Sequence, residues 1–375
     1  MPTGRIILFG ATGYTGRLVA DALVKRGAKP VLAARSAETL TELAAELGGL
    51  ETAVADVSRP ETVRALVQQG DVLVSTVGPF LRWGGAALDA AINAGALYLD
   101  STGEPPFIRE VFEQRDAPAR AANASLVTAF GYDFVPGNLA AAVALDRAGE
   151  RAAKVSIAYF ITGGVRDLRG AMSGGTAASL AGVLLAPHYG FRGGRIVTER
   201  SAKRVRSFRA GGKQLTGVSI GCSEHFALPR LSPSLREVDV YLGWFGPASR
   251  AMQAMSLLGE IPGMRAASEK LAARFVKGST GGPGPEARAK TGSVVIAEAK
   301  DASGNLVERV ELHGPNGYTF TGEILAWGAQ QAAEHGMSGA GALGPVDAFG
   351  LSTLEAACAE IGLREPGRER AVTGS

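Results

Sequence analysis

Cysteine is nearly absent: Cys222 and Cys358 are the only two in 375 residues. Thiols this far apart offer neither a disulfide framework nor a metal-ligand spacing. Their scarcity fits a reducing compartment, so the expectation is a cytoplasmic protein without a metal. No apolar run approaches the roughly 18 residues of a membrane span. The first residues lead straight into a strand pattern, without a signal-peptide layout. Charge of one sign is lacking too: 39 Lys and Arg against 36 Asp and Glu leave +3. The densest basic stretch, Arg192 to Arg209, lacks the interleaved aromatics of a base-stacking surface, which argues against a nucleic-acid partner. No Ser-His-Asp set and no paired-carboxylate spacing is legible.

What the chain does have is glycine, 51 residues of it, and a strict alternation of short apolar runs with amphipathic ones. Strands are expected at Arg5–Phe9, Pro30–Ala34, Glu51–Ala55, Val72–Thr76, Leu97–Asp100 and Ser125–Ala129. Between them the apolar residues recur at helical spacing over Thr15–Arg26, Ala37–Leu47, Arg59–Gln69, Gly84–Ala94 and Pro106–Asn123. Such alternation makes a doubly wound parallel α/β sheet of Rossmann type, assigned to residues 1–135. After Phe130 the pattern changes. A helix over Gly137–Ala148 precedes longer alternating strands: Lys154–Ile161, Arg195–Phe208, Arg236–Phe245, and a hairpin of Gly292–Asp301 with Val307–His313. Helices are expected over Thr176–Leu185, Ser249–Phe275, Gly322–His335 and Ser352–Glu360. Residues 136–340 therefore read as an α+β domain on a mainly antiparallel sheet, which also offers a homodimer surface. Residues 341–375 read as a helix returning to the first domain and a tail.

The glycines concentrate chemistry in one place. Gly10-Ala11-Thr12-Gly13-Tyr14-Thr15-Gly16 follows the first strand and opens the first helix, as a pyrophosphate-binding turn must. Gly10 permits the sharp turn, Gly13 lets backbone approach a phosphate, and Gly16 lets helix and strand pack closely. Arg35 ends the second strand, 19 residues after Gly16. An acidic residue there would hold ribose hydroxyls; an Arg suits a 2′-phosphate, with the Ser36 hydroxyl beside it, so NADP(H) is expected. Asp56, after the third strand, either accepts from the adenine amino group or caps the next helix. Val77-Gly78-Pro79, after the fourth, brings backbone to the carboxyl edge of the sheet, where the nicotinamide would lie.

These stretches also resemble a known family. GATGYTGR at 10–17, AAR at 33–35, VGPF at 77–80 and YLDSTGE at 98–104 are similar to the saccharopine dehydrogenase-like reductases, and within them to the trans-acting enoyl reductases. Gly131 to Leu139 and Ser173 to Ser179 resemble two further segments of that group. The first of these departs from it at Phe134 and Asn138, where the group has Ser and Asp. The resemblance implies an NADP-type cofactor, a second domain covering the nicotinamide, and hydride transfer to a C=C or C=N bond.

Hydride transfer asks the protein to place a carbon and handle one proton. Proton-handling candidates follow the fifth and sixth strands: Glu104, Tyr132 and Asp133. Ser173 and Thr176 open a helix whose N-terminus suits a substrate oxygen. His188 and His225 are lone histidines, expected to be structural. The combined expectation is an NADPH-dependent reductase of a small molecule, acting on a C=C conjugated to a carbonyl. Imine reduction is one alternative. A non-catalytic NADP-sensing regulator is another, and it would lack a substrate-sized cleft above the nicotinamide.

Overall fold

The computed structural model describes residues 4–163, 187–244, 248–257 and 281–367. The first sheet holds β1 (Ile6–Phe9), β2 (Val31–Ala34), β3 (Thr52–Val54), β4 (Val72–Ser75), β5 (Leu97–Asp100) and β6 (Ser125–Val127). β1, β2 and β4 are buried at every position. Unbroken apolar runs of this kind are what central parallel strands require, since both faces are covered. The order is β3-β2-β1-β4-β5-β6, parallel throughout, so the chain reverses direction across the sheet between β1 and β4. Ligands of doubly wound sheets sit at that crevice. A short strand at Gly341–Ala342 adds to β6 in parallel.

Helices cover both faces. α1 (Tyr14–Lys25) packs against a long late helix, Gly317–His335, which also touches β1, β4 and β5. A Cβ on Gly322 of that helix would lie 3.0 Å from Leu18 Cβ, so its bareness sets the approach of the two helices. The late helix starts five residues before the expected Gly322. Asn316 is the reason: its side chain accepts from the amides of Tyr318 and Thr319 and caps the helix.

The second sheet is mostly antiparallel. Its strands are β7 (Lys154–Thr162), β8 (Pro187–Arg192), β9 (Arg195–Arg200), β10 (Val205–Ala210), β11 (Lys213–Ser219), β12 (Glu237–Leu242), β13 (Gly292–Lys300) and β14 (Leu306–Pro315). Their order is β10-β11-β12-β7-β13-β14, with β8 and β9 joined at β12, and only β12 and β7 run parallel. Two expectations change here. The stretch 195–208 is not one strand; it breaks at Ser201–Arg204, where Ala202 takes φ of 48° and the Ser219 hydroxyl accepts from the Arg204 amide. Residues 106–123 hold the expected helix, but not a uniform one: a π-turn at Val111–Arg115 lies between its α-helical parts, Pro105–Glu110 and Asp116–Ala121. The expected helix at 176–185 lies outside the described residues.

The tightest spot in the fold is the glycine turn. A Cβ on Gly16 would lie 2.1 Å from the Gly10 carbonyl oxygen. That backbone cannot yield without parting α1 from β1. Gly16→Ala is expected to cost about 1–3 kcal/mol, read as a lower urea midpoint, with loss of dinucleotide binding.

Candidate functional site

The turn between β1 and α1 leaves the donors of a helix start uncapped. Gly13 is the N-cap of α1, with no side-chain cap and no acidic residue in the first turn. The amides of the first turn therefore keep their donor capacity. Gly10 sits at φ 92°, where a Cβ would strike Thr76 Oγ1 at 2.6 Å and Val77 at 2.9 Å. A Cβ on Gly13 would meet only the Gly10 oxygen, at 3.3 Å, so its outward side is open. Gly10 and Gly16 thus serve the fold, and Gly13 leaves room for a phosphate. Thr12, Tyr14 and Thr15 flank it half-buried.

The residues expected to meet an adenosine sit at the tips of β2 and β3. Arg35 is exposed, and no hydrogen bond or ion pair ties it among the described residues. Asp56 is held below the usual carboxylate range by the Ser58 amide and hydroxyl, then by Arg35 and Arg59. Arg59 is therefore a second cation at this edge, one that the strand pattern gave no reason to single out. The Ser36 hydroxyl accepts from the Thr39 amide and caps the next helix. Asp56 closes a turn onto Ser58 rather than capping the helix at Pro60–Arg64, whose N-cap is Arg59.

At the carboxyl edge of β4, Val77-Gly78-Pro79 leads into a one-turn helix, Phe80–Trp83. Glu104 straddles its start: the carboxylate accepts from the Phe80 amide at 2.8 Å and the Leu81 amide at 3.0 Å. Both oxygens are thus engaged in holding the loop, a positioning task where a proton-handling one was expected. Asp100 is fully buried and accepts from the amides of Thr102 and Ala129 and the Thr128 hydroxyl, stapling β5 to β6. Burial raises it to about 6 against those hydrogen bonds.

Beyond β6 the chain enters a cleft of about 80 Å³ between the two sheets. Tyr132, Asp133, Trp244, Ser293, Asn316 and Tyr318 are among its lining residues. Asp133 is half-buried, its Oδ1 is enclosed without a hydrogen-bond partner, and desolvation raises the carboxyl to about 7. Tyr132 is buried, its hydroxyl donates to the Phe160 carbonyl at 3.4 Å, and burial pushes its pKa up. A phenol held that far from ionisation is a poor acid, so of the expected pair Asp133 is the better one. The Trp244 Nε1 donor is likewise enclosed and unpartnered.

The cleft and the turn are neighbours. The Tyr318 ring, on the cleft wall, packs edge-on against Tyr14 at 5.2 Å. The Tyr14 hydroxyl donates to the Pro283 carbonyl at 2.6 Å and accepts from Arg288 at 3.2 Å. Residues of the second sheet's domain therefore clasp the phosphate turn and bring a guanidinium beside it.

The structure also assembles a buried polar network that the sequence hid. Glu224 is fully buried and accepts from the Tyr159 hydroxyl at 2.6 Å. That hydroxyl accepts from the Gly137 amide at 2.8 Å. Burial raises Glu224 to about 8. Asn138 joins it through the Ser223 hydroxyl. His188 and His225 are buried in structural roles, accepting from the amides of Gly221 and Cys222, and burial lowers His225 to about 4. Ser173 and Thr176 lie outside the described residues. Among the described residues there is no His, Cys, Asp and Glu grouping able to hold a metal, and no helix long and apolar enough to cross a membrane.

Residues 6–130 match the family described as saccharopine dehydrogenase NADP binding domain. The first sheet is thus similar to a saccharopine dehydrogenase NADP-binding domain. A Mycobacterium tuberculosis protein described as a candidate trans-acting enoyl reductase is 36% identical over 192 residues, 48% of this chain and 44% of its own length. A trans-acting enoyl reductase of Mycobacterium leprae is 38% identical over 140 residues, 36% of this chain and 34% of its own. The chain thus spans under half the length of these relatives. Apo saccharopine dehydrogenase (L-Glu forming) from Saccharomyces cerevisiae shares the fold, with a TM-score of 0.61 at 14% identity over 96% of this chain and 99% of that one. The matched residues 6–130 therefore carry the turn, and the fold likeness extends through the second sheet.

Proposed function

We propose that this protein is an NADPH-dependent reductase of a C=C conjugated to a carbonyl. One observation carries the reading. A carboxyl that keeps its proton to about pH 7 lies, unpartnered, in a cleft whose wall touches the phosphate-binding turn. A sensor has no use for such a group, because an unpartnered buried acid costs stability and repays it only by moving a proton.

The residues present fit the cofactor. The open side of Gly13 and the uncapped amides of α1 suit a pyrophosphate, and Arg35 with Arg59 suits a 2′-phosphate. Bound there, the cofactor would supply the hydride that such an acceptor takes at its β-carbon. The protein's share is the proton: as the C=C π bond breaks, Asp133 delivers its proton to the α-carbon, and its carboxylate reloads from solvent. Glu104 fixes the loop after β4, against which the reacting ends must meet. The names of the mycobacterial relatives support the choice of a C=C acceptor.

The cofactor half is tested at Arg35. Replacing it with Ala removes a charge-assisted partner, so NADPH affinity should fall about ten- to a hundredfold and NADH affinity should barely move. Fluorescence titration with both nucleotides reads this. Equal losses for both would refute the assignment. The catalytic half is read as NADPH oxidation with an enoyl thioester.

A further inference from the structure

Within the cleft, Trp244 poses a chemical question. An indole nitrogen is a donor only, and burying it without an acceptor is costly. Trp244 follows β12, where the Gly243 amide donates to the Tyr159 carbonyl at 2.8 Å and fixes the chain beside β7. A Cβ on Gly243 would lie 2.1 Å from the Phe160 ring, so the strand end packs closely against β7 just before the indole. The described lining of the cleft offers hydroxyls, a carboxyl, an amide and rings, but no Lys, Arg or His. Among the described residues an incoming carboxylate would find no cation there. It would also meet Asp133, a second acid in an already desolvated place. A neutral carbonyl oxygen, by contrast, is the acceptor that the indole lacks.

We propose that Trp244 Nε1 donates to the carbonyl oxygen of a neutral acyl substrate, so that the cleft takes an ester or thioester and rejects the free acid. The proposal rests on the reductase reading only in taking this cleft as the substrate site. A donor on that oxygen also favours the charge that gathers there while Asp133 protonates the neighbouring carbon.

The test uses the full chain loaded with NADP+, labelled with 15N-tryptophan. Trp83, Trp244 and Trp327 give three indole resonances, and Trp244→Phe identifies the relevant one by its loss. S-crotonyl-N-acetylcysteamine should shift the Trp244 resonance and bind; crotonate at the same concentration should do neither. Trp244→Phe should weaken thioester binding about three- to tenfold, the worth of one hydrogen bond, with NADP+ binding unchanged. Asp133→Asn should let crotonate bind more tightly. The shift in the unmutated protein guards against a variant that misfolds. Three results overturn the proposal: no binding of the thioester, crotonate binding as well as the thioester, or Trp244→Phe binding it as tightly. A thioester that binds and shifts the indole but does not oxidise NADPH refutes the reductase and leaves the clamp standing.

Discussion

Asp133→Asn is expected to lower kcat by about a hundred- to ten-thousandfold, the usual worth of a positioned general acid, while NADPH binding stays within about twofold. The amide keeps the size of the carboxyl and cannot give up a proton. The unmutated enzyme should show the titration directly. Its acid form is the working one, so kcat should be flat below about pH 7 and fall roughly tenfold per unit above it. The groups that sense this charge are Tyr132, Tyr159, Cys222 and Glu224, all buried and none of them a cation. Nothing among them pulls the Asp133 pKa down. Glu224, on ionising at higher pH, pushes in the same direction. The measurement is a pH profile of kcat at saturating enoyl thioester, together with the residual rate of Asp133→Asn. A residual rate that keeps the same descending limb would assign the proton to another group.

The sequence showed the first sheet and the phosphate turn almost completely, because both are written locally. Each central strand is an unbroken apolar run, and Gly10, Gly13 and Gly16 do their work within one turn of backbone. Arg35 was legible for the same reason, being one residue past a strand end. Asp133 was legible as a candidate from its place after β6, but its chemistry was not. What raises it is burial by the second sheet's strands and by the cap at Asn316, far along the chain. Glu104 misled because its partners, the Phe80 and Leu81 amides, lie 24 and 23 residues away. Nothing local distinguishes a carboxylate that holds a loop from one that faces a substrate. Trp244 and Glu224 gave no signal at all. Each sits beside an ordinary apolar strand or helix, and only the pairing of β12 with β7 brings one to the cleft and the other to Tyr159.

Glu224 carries the second large effect, on stability. In the unfolded chain its carboxyl titrates near 4.5; in the fold, burial outweighs the Tyr159 hydrogen bond and raises it to about 8. Below pH 4.5 the proton is on in both states and the group costs nothing. As pH rises toward 8, the unfolded chain releases the proton and the folded one keeps it, so stability drains away at about 1.4 kcal/mol per unit. Above pH 8 the loss is complete and constant. Asp133 and Asp100 are shifted the same way, whereas His225, lowered to about 4, adds stability as pH rises toward 6.5; above that pH the slope that these groups leave is a loss. Glu224→Gln removes the largest part of that slope. Its amide oxygen can still accept from Tyr159, and its NH2 can face the Ser223 hydroxyl. The variant should therefore match the unmutated chain near pH 4.5 and exceed it by roughly 3–5 kcal/mol at pH 9. Urea unfolding at the two pH values reads the difference. A gap that does not change with pH would mean that Glu224 is ionised in the fold and that Tyr159, not burial, governs it.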